Sequence, residues 1–263
     1  MTTRTESMRH WERAEIARSS MEATLTADEA LRVNQHTFDR YAHPPLDSAY
    51  PLEYAYHELG DVAGKRVVDF GCGSGANSVL LTNRGAHVWG IDISEDLLRL
   101  ARRRLAVSGR EGGATFIAGS AHDTPFPDDS IDVVFGIAIL HHLDLDLVSR
   151  EVRRVLKPGG RAIFQEPVRN SAVVRFVRLL IPYRAPDISP YERPLTDLEL
   201  ERFAEGFKKW SVRAFALPHV QVGQVLPVVR NHWRTLYEMD RKILHRAPWL
   251  ARYASIRVIS LTK

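Results

Sequence analysis

The chain has 263 residues, 44% hydrophobic and 26% charged, enough for one generous α/β domain with segments to spare and tight for two. Its 36 Lys and Arg against 32 Asp and Glu leave a net charge of +4, with bases and acids interspersed, which falls short of a nucleic-acid footprint. No apolar run reaches the ~18 residues of a membrane span, and a single cysteine, Cys72, excludes an internal disulfide and points to a reducing, cytoplasmic setting.

The first twenty residues lack an apolar core, so they do not read as a secretion signal; they read as a tail or an amphipathic helix. From Lys65 short apolar runs alternate with longer amphipathic ones. Lys65–Phe70 is a buried strand ending at glycines, Ala76–Arg84 a helix stopped by Gly85, and His87–Asp92 a second strand. Ser94 caps a helix running to Val107, with Glu95 and Asp96 in its first turn and Arg102, Arg103 and Arg104 near its end, as the helix dipole favours. Ala114–Gly119 and Ile131–Ile137 are strands, Leu145–Leu156 is a helix closed by Lys157-Pro158-Gly159-Gly160, and Arg161–Glu166 is a fifth strand. Strands separated by helices of this size pair in parallel through right-handed crossovers, and being covered on both faces they should be apolar throughout.

After Pro167 the rhythm changes. A helix is expected around Ala172–Leu180, a capping box at Thr196–Glu199 opens another, and Ser211–Leu217 and Ser255–Thr262 are closing strands around helical segments. Trp210, Trp233, Tyr237 and Trp249 are expected in the core or a pocket wall. The expectation is a Rossmann-like, mostly parallel seven-stranded sheet with helices on both faces and an antiparallel last strand. Residues 1–60 form a helical cap, 61–167 the core, 168–254 a lid and helical insert, and 255–263 the closing strand.

The central motif is Asp69-Phe70-Gly71-Cys72-Gly73-Ser74-Gly75, where the first strand turns into its helix. Glycines there admit positive φ and a ligand close to the backbone, and the helix start presents free N–H groups. Gly71-x-Gly73-x-x-Ala76 also fits a loose dinucleotide fingerprint, so an NAD-dependent oxidoreductase is one reading. Against it stands Asp69: a carboxylate two positions before the glycines is unfavourable beside a diphosphate and favourable beside an ammonium. Asp92, ending the second strand, can accept from both hydroxyls of a ribose with either cofactor.

VVDFGCGSG, then GIDIS, PFPDDSIDVVF, LHHL and VLKPGG in that order resemble the class I S-adenosylmethionine-dependent methyltransferases. The small-molecule branch that includes ubiquinone and menaquinone biosynthesis enzymes is the most similar, over roughly Phe38–Glu166. The resemblance implies S-adenosylmethionine as cofactor, with S-adenosylhomocysteine as product. It puts Asp69 near the methionine ammonium, Gly71, Cys72 and Gly73 on the methionine moiety, and Gly75 at a close helix contact. It puts Asp92 on the ribose, Ile93 against adenine, the Ala121 N–H on the adenine ring, Ile137 or Ala138 on the methionine side, and Tyr41 closing over the cofactor. Where the family carries an acid before the small residue, this chain has Ser120-Ala121, so Ser120 would accept from the adenine amino group through a weaker bond, or Asp123 would substitute for the acid.

His141 or His142 reads as a general base or as packing for the helix start, and Cys72 as a reactive thiol or, given its place inside the glycine turn, a small packing side chain. Glu166 ends its strand facing the pocket, and it and Gln165 are candidates for polar contact with the acceptor or for hydrogen bonds to neighbouring loops, with Tyr183, Trp233 and Tyr237 candidates for the pocket wall. Val173–Arg184 reads as a lid with Arg175 and Arg178 in solvent, or as a surface touching lipid or an anionic partner. Histidines show no metal-ligand spacing, so no metal is expected. Gly136-Ile137-Ala138-Ile139 stands where amino-methylases of DNA adenine and glutamine carry Asn/Asp-Pro-Pro-aromatic, which argues against them, and the aliphatic and aromatic content of the lid and C-terminal insert favours a small, partly apolar acceptor. A binding module that keeps the cofactor pocket without chemistry is the remaining alternative.

Overall fold

A computed structural model describes residues 16, 28–170, 193–225 and 232–263. The expected helix at Ala172–Leu180, the lid stretch Val173–Arg184 with Tyr183, and most of the N-terminal segment lie outside the described residues.

The elements are α1 (Asp28–Leu31), α2 (Gln35–Ala42), α3 (Pro51–Leu59), β1 (Arg66–Phe70), α4 (Ala76–Asn83), β2 (His87–Asp92), α5 (Glu95–Val107), β3 (Ala114–Ala118) and β4 (Ile131–Ile137). They continue with α6 (Leu145–Val155), β5 (Leu156–Pro167), α7 (Asp197–Ala204), β6 (Lys209–Phe215), α8 (Pro218–Val225), α9 (Trp233–Arg246) and β7 (Ile256–Thr262), with 3-10 turns at Leu140–His142 and Pro248–Tyr253. The seven strands run in the order β3-β2-β1-β4-β5-β7-β6. The first five pair in parallel, and β7 lies antiparallel between β5 and β6.

Local signals and packing agree along the core. Ser94 Oγ accepts from Leu97 N to cap α5, and Asp144 Oδ1 accepts from Leu147 N to cap α6. Thr196 and Glu199 close the capping box of α7. Gly85, at φ +79°, follows the end of α4 as expected. Central strands are buried on both faces: Val67, Val133, Phe135 and Ile163 pack against Tyr56, Leu59, Val79 and Leu80 on one side. Val68, Phe70, Val134 and Phe164 pack against Val148, Val152, Leu200 and Phe203 on the other. The edge strands β3 and β6 are only partly covered.

Two sequence expectations need correction. Lys157–Gly160 does not precede the fifth strand but bulges within it: Ile131 pairs with Leu156, and the register resumes at Val133 with Arg161. Gly160 permits this because a Cβ there would come 2.8 Å from the Lys157 carbonyl. Trp210 and Trp249 are not core residues; they are 46% and 64% exposed, because β6 is an edge and the turn after α9 stands on the rim. Trp233 and Tyr237 do pack, against Tyr50, Ala216 and Val220.

Strand order reverses between β1 and β4: connections from β1 run outward to β2 and β3, those from β4 outward to β5. That switch point opens a crevice above the carboxyl ends of β1 and β4, where ligands bind in open α/β sheets. The glycine turn and the histidine pair both follow strands that end there.

Candidate active site

The turn after β1 is built to bring backbone toward a ligand. Gly71, Gly73 and Gly75 have φ of +70°, +50° and +76°. At Gly73 a Cβ would meet nothing within 4 Å, so that side of the turn is open, whereas at Gly75 it would come 2.7 Å from Ala101 Cβ. Gly75 therefore lets α4 and α5 approach, and Gly73 leaves the backbone accessible. Arg104, on the far side of α5, braces the turn by donating to Ser74 O at 2.7 Å and to Leu31 O at 3.0 Å. From its position in the chain only the helix-dipole role of Arg104 is legible.

Two carboxylates flank the turn in different ways. Asp92 bridges it: Oδ2 accepts from Gly73 N and Oδ1 from Ser94 N, each at 2.9 Å. Asp69 is 1% exposed and lies on the β1 face that carries Tyr56. Ser78 donates to its Oδ2 at 2.6 Å. Burial pushes the Asp69 carboxyl up to about 7, with the Ser78 hydroxyl opposing the rise and Asp92 adding to it. A buried carboxyl raised this far gains from a cation beside its ionised form, a gain that a diphosphate cannot supply.

A groove runs from the turn across the ends of β2 and β4. Gly71, Asp92, Ser120, Ala121 and His142 border it, with Ile93, Leu97, Ile139 and Leu143 as its apolar walls. Of these walls only Ile93 was singled out from sequence; the other three follow from α5 and the β4 turn closing on the same space. Ser120 differs from its expected role. His122 Nε2 accepts from Asp144 N at 3.0 Å, which puts the proton on Nδ1, and that N–H points at Ser120 Oγ 3.1 Å away. The His122 backbone N–H donates to the same oxygen at 3.3 Å. Both lone pairs being engaged, Ser120 faces the groove as a donor rather than an acceptor.

Beyond β4 the chain makes a strained turn. Ala138 sits at φ +56°, a left-handed conformation unusual for a residue with a Cβ, and its N–H donates to Gln165 O. Glu166 holds the next residues: Oε1 accepts from Ile139 N at 2.9 Å and Leu140 N at 2.8 Å, and Oε2 lies 2.8 Å from His141 Nδ1. Glu166 is 1% exposed, so the expectation that it faces the pocket is corrected: its carboxylate is committed to the turn. His141 is buried with it and packs ring to ring with His142, centroids 4.0 Å apart, and it is His142 that reaches the groove. Gln165 points to the opposite face, level with Ile137, and its buried Oε1 has no partner among the described residues.

On that face an aromatic wall rises beside β1. Tyr41 lies 5.0 Å from Tyr56, whose other edge meets Phe135 at 5.0 Å. The Arg40 guanidinium sits among the rings of Tyr41, Tyr50 and Trp233 at 5.4, 5.1 and 5.7 Å while its Nε donates to Glu53. Trp233 thus joins Tyr41 through Arg40, and Tyr237 packs behind it against Tyr50. Tyr56, Tyr50 and Arg40 were not legible as site residues, because their positions follow from how α2 and α3 dock on the sheet. Cys72 is buried, with burial holding its thiol well above the usual range, and its Sγ would be 2.9 Å from a Cβ at Gly90, a packing position.

The architecture so described is that of a Rossmann-like nucleotide-cofactor fold whose first turn carries paired acids. Residues 68–164 match the model of a methyltransferase domain. A fatty-acid O-methyltransferase of Mycolicibacterium smegmatis is 34% identical over 199 residues, covering 71% of this chain and 65% of that protein. A ubiquinone biosynthesis O-methyltransferase of Stutzerimonas stutzeri is 35% identical over 159 residues, covering 57% of this chain and 68% of that protein. Among solved structures, a geranyl diphosphate C-methyltransferase of Streptomyces coelicolor, crystallised with Mg2+, geranyl diphosphate and S-adenosyl-L-homocysteine, superimposes with a TM-score of 0.56. It is 17% identical, with 79% of this chain and 77% of that one covered, a likeness of fold. The chain belongs to the S-adenosylmethionine-dependent methyltransferase family. It spans less than two thirds of the length of the mycobacterial relative. Family membership removes the oxidoreductase reading of the glycine turn.

Proposed function

We propose that this protein transfers the methyl group of S-adenosylmethionine to a small, partly apolar organic acceptor. The observation that carries the reading is the acid pair around an open glycine turn: buried Asp69 suits an ammonium, and Asp92 stands at the groove where a ribose would lie. Gly71, Cys72 and Gly73 would hold the methionine moiety by backbone, Ile93 and the Ala121 N–H the adenine, with Ser120 donating, Ile137 on the methionine side and Tyr41 closing over it. When bound, the cofactor supplies a methyl group already activated by its sulfonium.

What the chain must then do is hold an acceptor in line and keep water away. Bringing the reacting atoms to about 3 Å in a near-attack arrangement can supply up to ~7–11 kcal/mol of the barrier without a covalent catalyst. Tyr41, Tyr50, Trp233 and Tyr237 offer an aromatic wall suited to an apolar body, and the Gln165 Oε1 a polar contact on the same face. Where an acceptor hydroxyl must lose a proton, His142 is the imidazole that borders the groove, and Glu166 steadies the pair by binding His141. The names of the relatives, a fatty-acid O-methyltransferase and a ubiquinone biosynthesis O-methyltransferase, support an acceptor with apolar character. A cytoplasmic setting belongs to the same proposal, supported by the lone thiol at Cys72.

The test is incubation with S-adenosylmethionine and a panel of hydroxylated and carboxylated apolar compounds, read by mass spectrometry for one added methyl group. A methylated product formed stoichiometrically with S-adenosylhomocysteine is expected. Tight cofactor binding with no product from any class of acceptor would favour a module without chemistry.

A further inference from the structure

Positive charge is concentrated near the end of the chain. The stretch 241–253, RKILHRAPWLARY, holds Arg241, Lys242, Arg246 and Arg252 with no acid, so it carries +4, equal to the net charge of all 263 residues. It forms the last turns of α9 and the 3-10 turn that follows. Arg241 is spent internally on Asp47 and Glu238. Lys242, Arg246 and Arg252 are exposed, and no acid among the described residues pairs with them.

Exposed apolar side chains gather at the same place. Trp249, at 64%, is the most exposed large apolar side chain among the described residues, with Leu46 next at 62%. The Arg252 guanidinium lies between the rings of Trp249 and Tyr253 at 5.7 and 4.7 Å. Leu46 and Val212 line a half-open groove closed by Pro248 and Ala251, with Asp47, Arg213 and Asp240 also in its walls. Because β7 is antiparallel, its first residue, Ile256, pairs with Pro167 and Phe215 at the carboxyl ends of β5 and β6. The basic turn leading into it therefore stands at the end of the sheet that carries the glycine turn.

We infer that this rim, Lys242, Arg246, Trp249 and Arg252 beside the Leu46–Val212 groove, docks the protein on an anionic lipid bilayer. Unpaired Lys and Arg side chains are drawn to an anionic leaflet, and Trp settles at headgroup depth with its ring in the apolar layer and its N–H in the wet one. A nucleic-acid duplex would engage the cations, but its bases are stacked inside the helix and leave a protruding Trp nothing to stack on. The inference goes beyond the methyl-transfer reading and does not rest on it.

The full chain is sedimented with phosphatidylcholine vesicles and with vesicles that also contain phosphatidylglycerol. Binding to the anionic vesicles alone, weakening as salt rises, is expected. Neutralising a charge near the surface weakens partition about fivefold, so Lys242→Gln with Arg246→Gln lowers it by roughly twenty-five-fold. Trp249→Ala lowers it further at every salt concentration. Melting shifts with S-adenosylhomocysteine equal to wild type show each variant to be folded. Wild-type protein that stays in the supernatant or sediments equally with neutral vesicles, or variants that bind anionic vesicles as the wild type does, overturn the inference. So does a DNA duplex bound as tightly as the anionic vesicles and unchanged in Trp249→Ala, which assigns the rim to nucleic acid.

Discussion

With the cofactor ammonium on Asp69, as proposed, binding should depend on pH in a way that can be worked out beforehand. In the free protein burial raises its carboxyl to about 7 against an ordinary 3.8. The neutral form is thus the one the empty fold prefers, and Asp69 favours folding fully only below its ordinary value, an advantage lost as pH rises through 7. An ammonium beside it reverses the preference by binding the ionised form. Between about pH 8 and about pH 6 the ionised fraction falls about tenfold, so the dissociation constant of S-adenosylhomocysteine should rise about tenfold, with close to one proton released per ligand at the acid end. Isothermal titration in two buffers of different ionisation heat reads both quantities. Asp69→Asn should remove the slope and weaken binding at high pH. It should also raise the melting temperature of the empty protein at about pH 8, by about 2–4 °C for each kcal/mol of desolvation relieved. A flat dissociation constant in the wild type, or the same slope in Asp69→Asn, would refute the placement of the ammonium.

Other consequences follow from the same geometry. Asp92→Ala removes the acceptor shared by Gly73 N and Ser94 N and should weaken S-adenosylhomocysteine binding by about 1–3 kcal/mol, read by titration; an unchanged constant would show the ribose lies elsewhere. Glu166→Ala leaves two backbone N–H groups and His141 without their acceptor and should cost about 3 kcal/mol or more in urea unfolding. Glu166→Gln, which keeps one acceptor oxygen, should recover part of that loss. Gly75→Val drives a side chain into Ala101 at positive φ and should cost about 2–4 kcal/mol, with the helix contact rather than the ligand responsible, so cofactor affinity of the remaining folded protein stays within about twofold.

The parts of the fold written in local chemistry could be read from the chain. Ser94, Thr196 and Gly85 mark helix ends through bonds within a few residues, and strands such as VVDF are apolar because both faces are covered. The glycine turn was legible for the same reason, since positive φ leaves few residue choices. What depended on packing between distant segments was not. Lys157–Gly160 looked like a helix stop, but the C-terminal Lys263 bonds back to Gly160 and keeps the strand continuous around it. Trp210 and Trp249 read as core by composition, and only the strand order shows that β6 has no neighbour beyond it. Glu166 read as a pocket acid because it ends a strand at the right height; the bend at Ala138 turns three donors back onto it. Ser120 read as an acceptor, and the tautomer of His122, set by Asp144 N, makes it a donor.

The central claim is that an adenosyl sulfonium amino acid lies across the glycine turn with its ammonium on Asp69 and its ribose on Asp92. A crystal structure of the protein soaked with S-adenosylhomocysteine tests it most directly. The account predicts ligand density along Gly71–Gly73, adenine against Ile93, and the Ser120 hydroxyl donating to a ring nitrogen. Density for the adenosyl group at any other site, with the turn left empty, would contradict it.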